Sequence, residues 1–421
     1  MTQEQRPFNP VKSELSPLEQ DVKINEFLTR AVDHIYPNSD ALKTALQSGQ
    51  RLNAYMGIDP TAPELHVGHV SQLQKLKRLQ DLGHNVTLLI GDFTAMIGDP
   101  TDKSAARIKL TREEVLINAQ TYKEQAAKIL DFDKPGNPIN LRYNSEWLGK
   151  MDFADVLELA SQMTVQRMSE RDMFEKRLKE GRPIGVHEFL YPLMQGWDSV
   201  VMDVDIEIGG SDQIFNMMVG RDLVRRHLGK EKFVVGGSLL VDPGGKKIGK
   251  TEGNMVTVQD NPAQMFEKIM RWGDQITPHA LELCTDMPMD NIRQIEEALK
   301  NGSLDPIEGK KILARALVSD LHSPELATIA EQEYGRASQE QIPEGIINFP
   351  VTPGLNIVDI LIQSGLAQTR NSARRLIQQG GVRVNGQTVS DSSYSLDGQS
   401  GEHVLQVGKK TTDSFRKLVV D

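Results

Sequence analysis

The sequence predicts an α/β protein with a parallel sheet, followed by an all-helical segment and a small module of mixed α and β structure. Two observations predict the sheet: a strand–helix–strand pattern over residues 51–91 and a second strand signal at 202–208. Residues 262–340 are charged and show helical patterns without a strand signal. The composition changes again at about residue 341, where the small module is expected to begin after a linker.

The first pattern is a single βαβ unit. RLNAYMGI is a short strand, and DPTAPEL is a turn-rich loop. From Val67 to Leu82 the apolar residues recur every three positions, which predicts an amphipathic helix that Gly83 ends. NVTLLIG is an apolar run of strand length, suited to a parallel strand that is buried on both faces. The unit therefore indicates a parallel sheet with a right-handed crossover.

Local patterns also define the remaining segments. In residues 202–208 apolar side chains alternate with Asp and Glu before a Gly-Gly turn, which is the period of a strand. IPEGIINFPVTPG, punctuated by Pro and Gly, is interpreted as a linker. Two short helical patterns follow it, and then GVRVNGQTV, whose Asn-Gly pair predicts a hairpin. Residues 1–33 are polar and are expected to be peripheral.

Composition limits the classes of function. A chain of 421 residues is long enough for two or three domains with a sizeable core. Without an apolar run of 18 residues or a signal-peptide core, it is expected to be cytoplasmic, with no membrane association. The single cysteine excludes an internal disulfide and a multi-cysteine zinc site. The net charge of −10 argues against general nucleic-acid binding, but residues 351–421 carry eight Lys/Arg against six Asp/Glu.

Two histidines, His66 and His69, open the predicted helix in PTAPELHVGHVSQ. On spacing alone they could be ordinary surface or packing residues, and no third ligand at typical spacing supports a metal site. The functional interpretation is anion binding, because a helix N-terminus offers unpaired N–H groups and the positive end of the helix dipole. An imidazole adds a donor for phosphate, and Gly68 lets a flat ligand approach the backbone.

A glycine-rich loop, GGKKIGKTEGN at residues 244–254, carries Lys246, Lys247 and Lys250. Its spacing does not fit a P-loop. Taken alone, a lysine-rich loop is commonly just solvated. The functional interpretation is that its ammonium groups close on a polyphosphate and offset the charge that develops there.

Together these two motifs resemble those of the class I aminoacyl-tRNA synthetases. HVGH is similar to the HIGH motif and KIGKT to the KMSKS motif, with both histidines and both lysines kept. YMGIDPTAPELHVGH, IGDPTDKS, YPLMQGWDS and IGGSDQ then resemble the tyrosyl-tRNA synthetase family, in its order, from about residue 50 to 260. The resemblance implies a Rossmann-like catalytic domain and a tyrosine–tRNA ligase that uses L-tyrosine, ATP with Mg²⁺, and tRNA(Tyr).

The resemblance also implies roles for individual residues. Tyr55 and Asp198 are expected to bind the phenol of the substrate, and Asp99, Tyr191 and Gln195 its α-amino group. Tyr191, Gln195 and Asp198 fall at i, i+4 and i+7, on one face of a predicted helix. Without the resemblance, that face could be a polar, solvated stripe. The nucleotide-binding residues are expected to be Asp59, Gly68, Gly209, Gly210, Asp212 and Lys250, with Gln213 around the ribose and tyrosine. The expected catalytic residues at the phosphates are Thr61, His66, His69, Lys103, Arg107, Lys247, Lys250 and Thr251. No dedicated metal site is predicted.

The C-terminal stretch NIVDILIQSGLAQTRNSARRLIQQGGVRVNGQTV resembles the alpha-L RNA-binding domain. Arg370, Arg374 and Arg375 would contact RNA phosphates, although alone they could be an ordinary exposed basic helix. The resemblance also implies a homodimer. The expected domains are an N-terminal extension at 1–33, the catalytic domain at 34–261, an α-helical anticodon-binding domain at 262–345 and the RNA-binding domain at 351–421.

Three other interpretations compete with tyrosine–tRNA ligase. A tryptophan-specific relative would share the catalytic fold, but the Tyr55 and Asp198 pair and the basic tail count against it. An inactive RNA-binding paralogue would have no need to keep His66, His69 and the two lysines of KIGKT together. A small-molecule ligase with the same histidine motif would leave the basic tail unexplained.

Overall fold

The computed structural model describes residues 8–11, 13, 15–99, 110–241, 255–338, 346–352, 354–385, 387–396, 401–408 and 414–420. They fall into two compact units that divide after Glu331. The first unit holds a sheet and a helical segment, and the second is a small module with its own sheet. Each unit is described separately.

The sheet of the first unit has six strands in the order β1-β6-β5-β2-β3-β4. All its pairings are parallel except that of β1, an edge strand that runs antiparallel to β6. The parallel sheet is thus confirmed, and the antiparallel edge strand is an addition to the prediction. The strands are β1 (Val32–Tyr36), β2 (Asn53–Ile58), β3 (Asn85–Ile90), β4 (Asn140–Tyr143), β5 (Ile206–Gly210) and β6 (Phe233–Gly237).

The helices of the first unit cover the sheet and form the segment that follows it. Within the described ranges, no helix has the length and apolar character needed to cross a membrane. The helices are α1 (Pro17–Thr29), α2 (Ser39–Gln47), α3 (Val67–Asp81), α4 (Arg112–Ala119), α5 (Tyr122–Ala126), α6 (Ser145–Leu148), α7 (Phe153–Ser161), α8 (Val165–Ser169), α9 (Asp172–Lys179), α10 (Val186–Val201), α11 (Ile214–Leu228), α12 (Pro262–Met270), α13 (Thr277–Cys284), α14 (Met289–Lys300) and α15 (Pro306–Leu321). A further helix, α16 (Pro324–Ser338), contains the point at which the two units divide.

The predicted βαβ unit is present as β2, α3 and β3. Leu73, Leu76 and Leu79 of α3 are fully buried, as their spacing predicted. Gly83 follows the C-cap with φ +88°, a left-handed conformation that glycine adopts without strain. Residues 262–338 are helical, also as predicted, and α13 packs against α3.

The strand predicted at 202–208 is shorter than its alternation suggested. Met202 caps α10, Asp203 has φ +50°, and β5 begins only at Ile206. The Asp203 side chain is 45% exposed, whereas Asp205 and Glu207 are buried. Ile206, Glu207 and Ile208 are all buried, so both faces of β5 are covered.

The N-terminal segment is not peripheral from α1 onward, which corrects the expectation for that part of residues 1–33. Ile24 and Phe27 of α1 are buried, and the predicted boundary at residue 33 falls inside β1. Arg30 is 2% exposed and donates to the backbone carbonyls of Glu282, at 2.9 Å, and Thr285, at 2.6 Å. These carbonyls lie at the C-terminal end of α13, where helical partners are missing. Arg30 therefore fastens the helical segment to the sheet domain.

The second unit has a five-stranded sheet in the order β7-β11-β10-β8-β9 and two helices. Its elements are β7 (Ile347–Val351), α17 (Ile357–Gln363), α18 (Arg370–Gln378), β8 (Val382–Val384), β9 (Gln387–Thr388), β10 (Gly401–Val407) and β11 (Phe415–Val420). β8 and β9 form the predicted hairpin, with Asn385 at φ +48°. The linker prediction was wrong for residues 347–351, because β7 pairs in parallel with β11. Apolar side chains of α17 and α18, including Ile360 and Ile377, fill the core against this sheet.

Candidate active site

A cavity of about 270 Å³ opens at the carboxyl ends of β2, β3 and β5. The strand order reverses between β2 and β5, which is where open α/β sheets commonly bind ligands. Every predicted catalytic, tyrosine-binding or nucleotide-binding residue in the described part of the chain lines this cavity. These residues are Tyr55, Asp59, Thr61, His66, Gly68, His69, Asp99, Tyr191, Gln195, Asp198, Gly209, Gly210, Asp212 and Gln213. Lys103, Arg107, Lys247, Lys250 and Thr251 lie outside the described residues.

His66 and His69 are held by the first turn of α3. His66 is the N-cap residue, and its Nδ1 accepts from the backbone N–H of Gly68 at 3.1 Å. His69 Nδ1 accepts from the backbone N–H of His66, also at 3.1 Å. A Cβ on Gly68 would lie 2.9 Å from the His66 ring, so this glycine is needed for the ring position itself. In a neutral imidazole whose Nδ1 accepts, the proton is on Nε2, which makes each ring a donor at that atom.

The segment after the lysine-rich loop is tied to the same helix start. His66 and Thr257 form an antiparallel bridge. Val67 donates its N–H to the carbonyl of Val256 at 3.0 Å. Val256 and Thr257 therefore lie directly beside the histidine pair.

Side chains of α5 hold the turn-rich loop that precedes the histidines. The hydroxyl of Tyr122 donates to the Ala62 carbonyl at 2.6 Å. Gln125 donates to the Pro63 carbonyl at 2.9 Å and accepts from the Leu65 N–H at 2.7 Å. Both side chains are buried, so these bonds are shielded from water and fix the path of the backbone into α3.

Asp198 is a buried carboxylate on the cavity-facing side of α10. Trp147 Nε1 donates to its Oδ1 at 2.7 Å, and Asn144 Nδ2 donates to its Oδ2 at 3.3 Å. Burial raises the pKa of Asp198 well above its usual range, and the two N–H donors oppose that rise. Neutral donors thus orient this carboxylate without supplying a positive charge.

Tyr55 is hydrogen-bonded to a second buried carboxylate, that of Glu207 in β5. The Tyr55 hydroxyl donates to Glu207 Oε1 at 2.6 Å, and Gln195 Nε2 donates to the same oxygen at 3.0 Å. Lys232 forms a fully buried ion pair with Glu207 Oε2. Burial raises the pKa of Tyr55 well above its ordinary value, and the charge of Glu207 adds to that rise. Burial also lowers the pKa of Lys232, which the Glu207 carboxylate opposes.

Asp99 and Asp59 supply two further carboxylates to the cavity. Gln213 Nε2 donates to Asp99 Oδ2 at 2.5 Å, and the buried Arg171 lies 3.5 Å from its Oδ1. The Tyr191 hydroxyl donates to Asp59 Oδ2 at 2.8 Å. In the described ranges, no group of three or more His, Cys, Asp or Glu side chains is placed to hold a metal ion.

The comparisons with known proteins agree with this geometry. The family model described as "tRNA synthetases class I (W and Y)" matches residues 47–337. The tyrosine–tRNA ligases of Moorella thermoacetica and Thermotoga maritima are each 41% identical to this chain, and each alignment covers 93% of it and 96% of the relative. The chain belongs to the tyrosine–tRNA ligase family. The predicted family is thereby confirmed.

Solved structures of tyrosyl-tRNA synthetases share the fold. A C-terminally truncated mitochondrial enzyme from Aspergillus nidulans matches with a TM-score of 0.63 at 23% identity, covering 75% of this chain and 93% of its own. An Archaeoglobus fulgidus enzyme matches with a TM-score of 0.58 at 23% identity, covering 74% and 99%. The Rossmann-like catalytic fold predicted from the sequence is therefore confirmed.

The second unit contains an S4 domain, matched at residues 356–401. Arg374 and Arg375 of α18 are exposed, as a phosphate-binding role requires. Arg370 is also exposed but is ion-paired with Asp359. The predicted contacts of these arginines with RNA remain a prediction.

Sequence reasoning missed several residues that build the tyrosine–tRNA ligase pocket. Trp147 and Asn144 orient Asp198, and Glu207 and Lys232 hold Tyr55 through a buried ion pair. The sequence did contain a signal for the pair Glu207 and Lys232. A carboxylate between two isoleucines on a strand covered on both faces has to find a buried partner, and Lys232 directly precedes the neighbouring strand β6.

Proposed function

We propose that this chain joins L-tyrosine to ATP, forming tyrosyl-adenylate and pyrophosphate, and then transfers tyrosine to the 3′ end of tRNA(Tyr). The observation that carries the proposal is one cavity lined both by a buried carboxylate, Asp198, and by a histidine pair at a helix N-terminus. The first suits a phenol hydroxyl and the second suits phosphate oxygens.

In the tyrosine site, Asp198 and Tyr55 meet the ring hydroxyl of the substrate. A buried carboxylate loses a hydrogen bond if phenylalanine enters, and that loss favours tyrosine. Asp99, Tyr191 and Gln195 bind the α-ammonium, for which a carboxylate is the strongest available acceptor. Gln213 supports Asp99 through the bond described above.

In the nucleotide site, Asp59, Gly68, Gly209, Gly210 and Asp212 bind the adenosine portion of ATP. His66, His69 and Thr61 donate to the phosphates while the tyrosine carboxylate attacks the α-phosphorus. Lys247, Lys250 and Thr251 act on the phosphates from their loop, and Lys103 and Arg107 on the pyrophosphate. The nucleophile is already an anion, so the chemistry needs positioning and charge stabilisation but no general base.

The remaining partners follow from the same function. Mg²⁺ arrives with ATP, since phosphates themselves chelate it. The helical segment binds the anticodon region of tRNA, and Arg370, Arg374 and Arg375 contact its phosphates. We also infer a homodimer located in the cytoplasm. Large apolar side chains that stand exposed at Phe153, Val165 and Val186 support such an interface.

Amino-acid-dependent exchange of labelled pyrophosphate into ATP tests the activation step, with tyrosine, tryptophan and phenylalanine compared side by side. Exchange with tyrosine alone supports both the reaction and the pocket assignment. Exchange with tryptophan would overturn the assignment of Tyr55 and Asp198 while leaving the reaction class intact. No exchange with any of the three, from folded protein, would favour the inactive RNA-binding paralogue.

A further inference from the structure

Glu207 accepts hydrogen bonds from four different side chains. Its Oε1 receives Tyr55 Oη at 2.6 Å and Gln195 Nε2 at 3.0 Å. Its Oε2 receives Lys232 Nζ and, at 3.4 Å, the hydroxyl of Ser199. A carboxylate offers about four lone-pair positions. Donors from the protein therefore occupy all the lone-pair positions of the ionised Glu207 carboxylate.

The number of hydrogen-bond partners also indicates that Lys232 is protonated. Its nitrogen lies beside Glu207, 2.8 Å from Ser199 Oγ and 3.2 Å from the Met217 carbonyl. Three acceptors match the three protons of an ammonium group. The ion pair is fully buried, so neither charge is screened by water, and removing one partner alone would leave the other unpaired.

This arrangement determines which atom of Tyr55 is available to a ligand. The hydroxyl proton of Tyr55 is committed to Glu207, and Ser199 Oγ lies 3.2 Å from the same hydroxyl oxygen, so Tyr55 can offer a ligand only a lone pair of that oxygen. Asp198 also presents acceptor oxygens, oriented by Trp147 and Asn144. Both groups that meet the para substituent of the amino acid therefore accept hydrogen bonds.

We propose that Glu207 and Lys232 determine specificity by making this end of the pocket an acceptor-only site for the para substituent of an aromatic amino acid. The inference rests on the proposed tyrosine site and deepens it. The site takes a substituent that donates a hydrogen bond: a neutral phenol, whose one proton serves one of the two acceptors, or an aniline, whose two protons serve both. It refuses a phenolate or a para fluorine, because these bring lone pairs against lone pairs and, for the phenolate, a negative charge against Asp198.

The charged and titratable groups around this end come from five parts of the fold. They are Tyr55 of β2, Asp198 and Tyr191 of α10, Glu207 of β5, Arg221 of α11 and Lys232 before β6. Asp59 also contributes to the field at Asp198. The Kd of tyrosine itself, measured over the pH range of the binding experiment below, records the titration of these protein groups and serves as the reference.

The decisive experiment is calorimetric binding of a ring-fluorinated tyrosine whose phenol ionises near neutral pH. Its Kd should rise tenfold per pH unit above the phenol pKa, and each ligand bound should take up about one proton, found from buffers of different ionisation enthalpy. Binding of tyrosine should show no such uptake. A constant Kd for the fluorinated ligand, or binding without proton uptake, would overturn the inference.

Variants separate the positioning role from mere packing. Glu207→Gln combined with Lys232→Met removes both charges together and supplies an amide donor to the Tyr55 oxygen. The double variant should take up fewer protons when the fluorinated tyrosine binds. The unaltered protein should bind 4-aminophenylalanine more tightly than 4-fluorophenylalanine, and the double variant should narrow this difference in Kd. Thr277→Ala, which removes a buried hydroxyl from α13 outside this network, should keep both properties. Equal effects of these variants, or preference for the fluoro compound, would contradict the inference.

Binding does not require adenylate formation, so this test is independent of the reaction. If tyrosine supports no pyrophosphate exchange but the fluorinated ligand binds with proton uptake, the proposed reaction fails and the acceptor-only site stands. If exchange occurs but proton uptake is absent, the reaction stands and the role of Glu207 fails.

Discussion

His66 and His69 stack with their ring centroids 4.0 Å apart, and each uses its Nδ1 to accept a backbone N–H of the same helical turn. The first turn of α3 thus fixes both tautomers, with the proton on Nε2. Nδ1 of each ring has a structural task, and the proposed reaction assigns Nε2–H of each ring to the phosphates. The two tasks can therefore be separated by substitution.

His69→Asn should keep the helix start but lose the phosphate donor, because the amide oxygen can replace Nδ1 whereas nothing replaces Nε2–H. We expect the rate of adenylate formation to fall by about 10²-fold, the usual effect of losing one transition-state donor. Tyrosine affinity and the melting temperature should stay close to those of the unaltered protein. Single-turnover kinetics and calorimetry measure both, and an equal loss of tyrosine affinity would contradict the transition-state role.

Asp198→Asn should damage tyrosine binding itself, because it replaces an acceptor-only carboxylate with a group that also donates. Loss of a hydrogen bond to a charged group is worth about 1.5–3 kcal/mol, so the Kd for tyrosine should rise by about 10- to 100-fold. Asp92→Asn is the matched control, since Asp92 is also buried but bonds to Ser145 outside the cavity lining. The assignment would fail if both variants changed the Kd equally.

Arg30→Lys should lower the free energy of unfolding by about 2–4 kcal/mol, since a single ammonium cannot reach all the carbonyls that the guanidinium serves and leaves buried acceptors unpaired. Urea denaturation measures the change. Lys23→Met, at a half-exposed position with a 4.0 Å ion pair, is the control and should shift stability by less than about 0.5 kcal/mol. A similar small shift for Arg30→Lys would show that the helical segment is held by other contacts.

His84 should make stability depend on pH. It is buried, its Nδ1 accepts from the Leu52 N–H at 3.3 Å, and burial lowers its pKa from 6.5 to about 4. The unfolded chain therefore binds a proton that the folded chain excludes between these values, and stability falls as the pH falls. Between pH 7 and pH 5 the loss should be about 2 kcal/mol. His84→Asn keeps the acceptor for Leu52 and should remove this part of the pH dependence in urea denaturation.

Arg374→Glu with Arg375→Glu should weaken tRNA charging and leave pyrophosphate exchange unchanged, because both side chains are exposed on the S4 domain. The salt dependence of tRNA binding should become shallower by about two phosphate contacts. Lys417→Glu on β11, a charge reversal in the same unit, is the control. Charging that is unaffected by the α18 substitutions would remove these arginines from the RNA interface.

Much of the fold could be predicted because local patterns and tertiary packing agreed there. The three-residue period of α3, the apolar run of β3 and the Asn-Gly hairpin are all present. The local sequence pattern gave wrong element boundaries where tertiary contacts decided the structure. The alternation predicted a strand from residue 202, yet β5 begins only at Ile206, and the apparent linker contains β7 because β7 pairs with β11.

The sequence by itself determined the family, the order of its motifs and many of the residues that line the cavity, because short motifs carry the backbone geometry and side chains that the chemistry needs. Only the tertiary structure decided how those residues are supported. Trp147 lies 51 positions from Asp198, Lys232 lies 25 from Glu207, and Arg30 caps a helix more than 250 residues away. Hydrogen bonds and ion pairs act over a few ångströms of space, and no spacing along the chain records which distant side chains the sheet will bring that close.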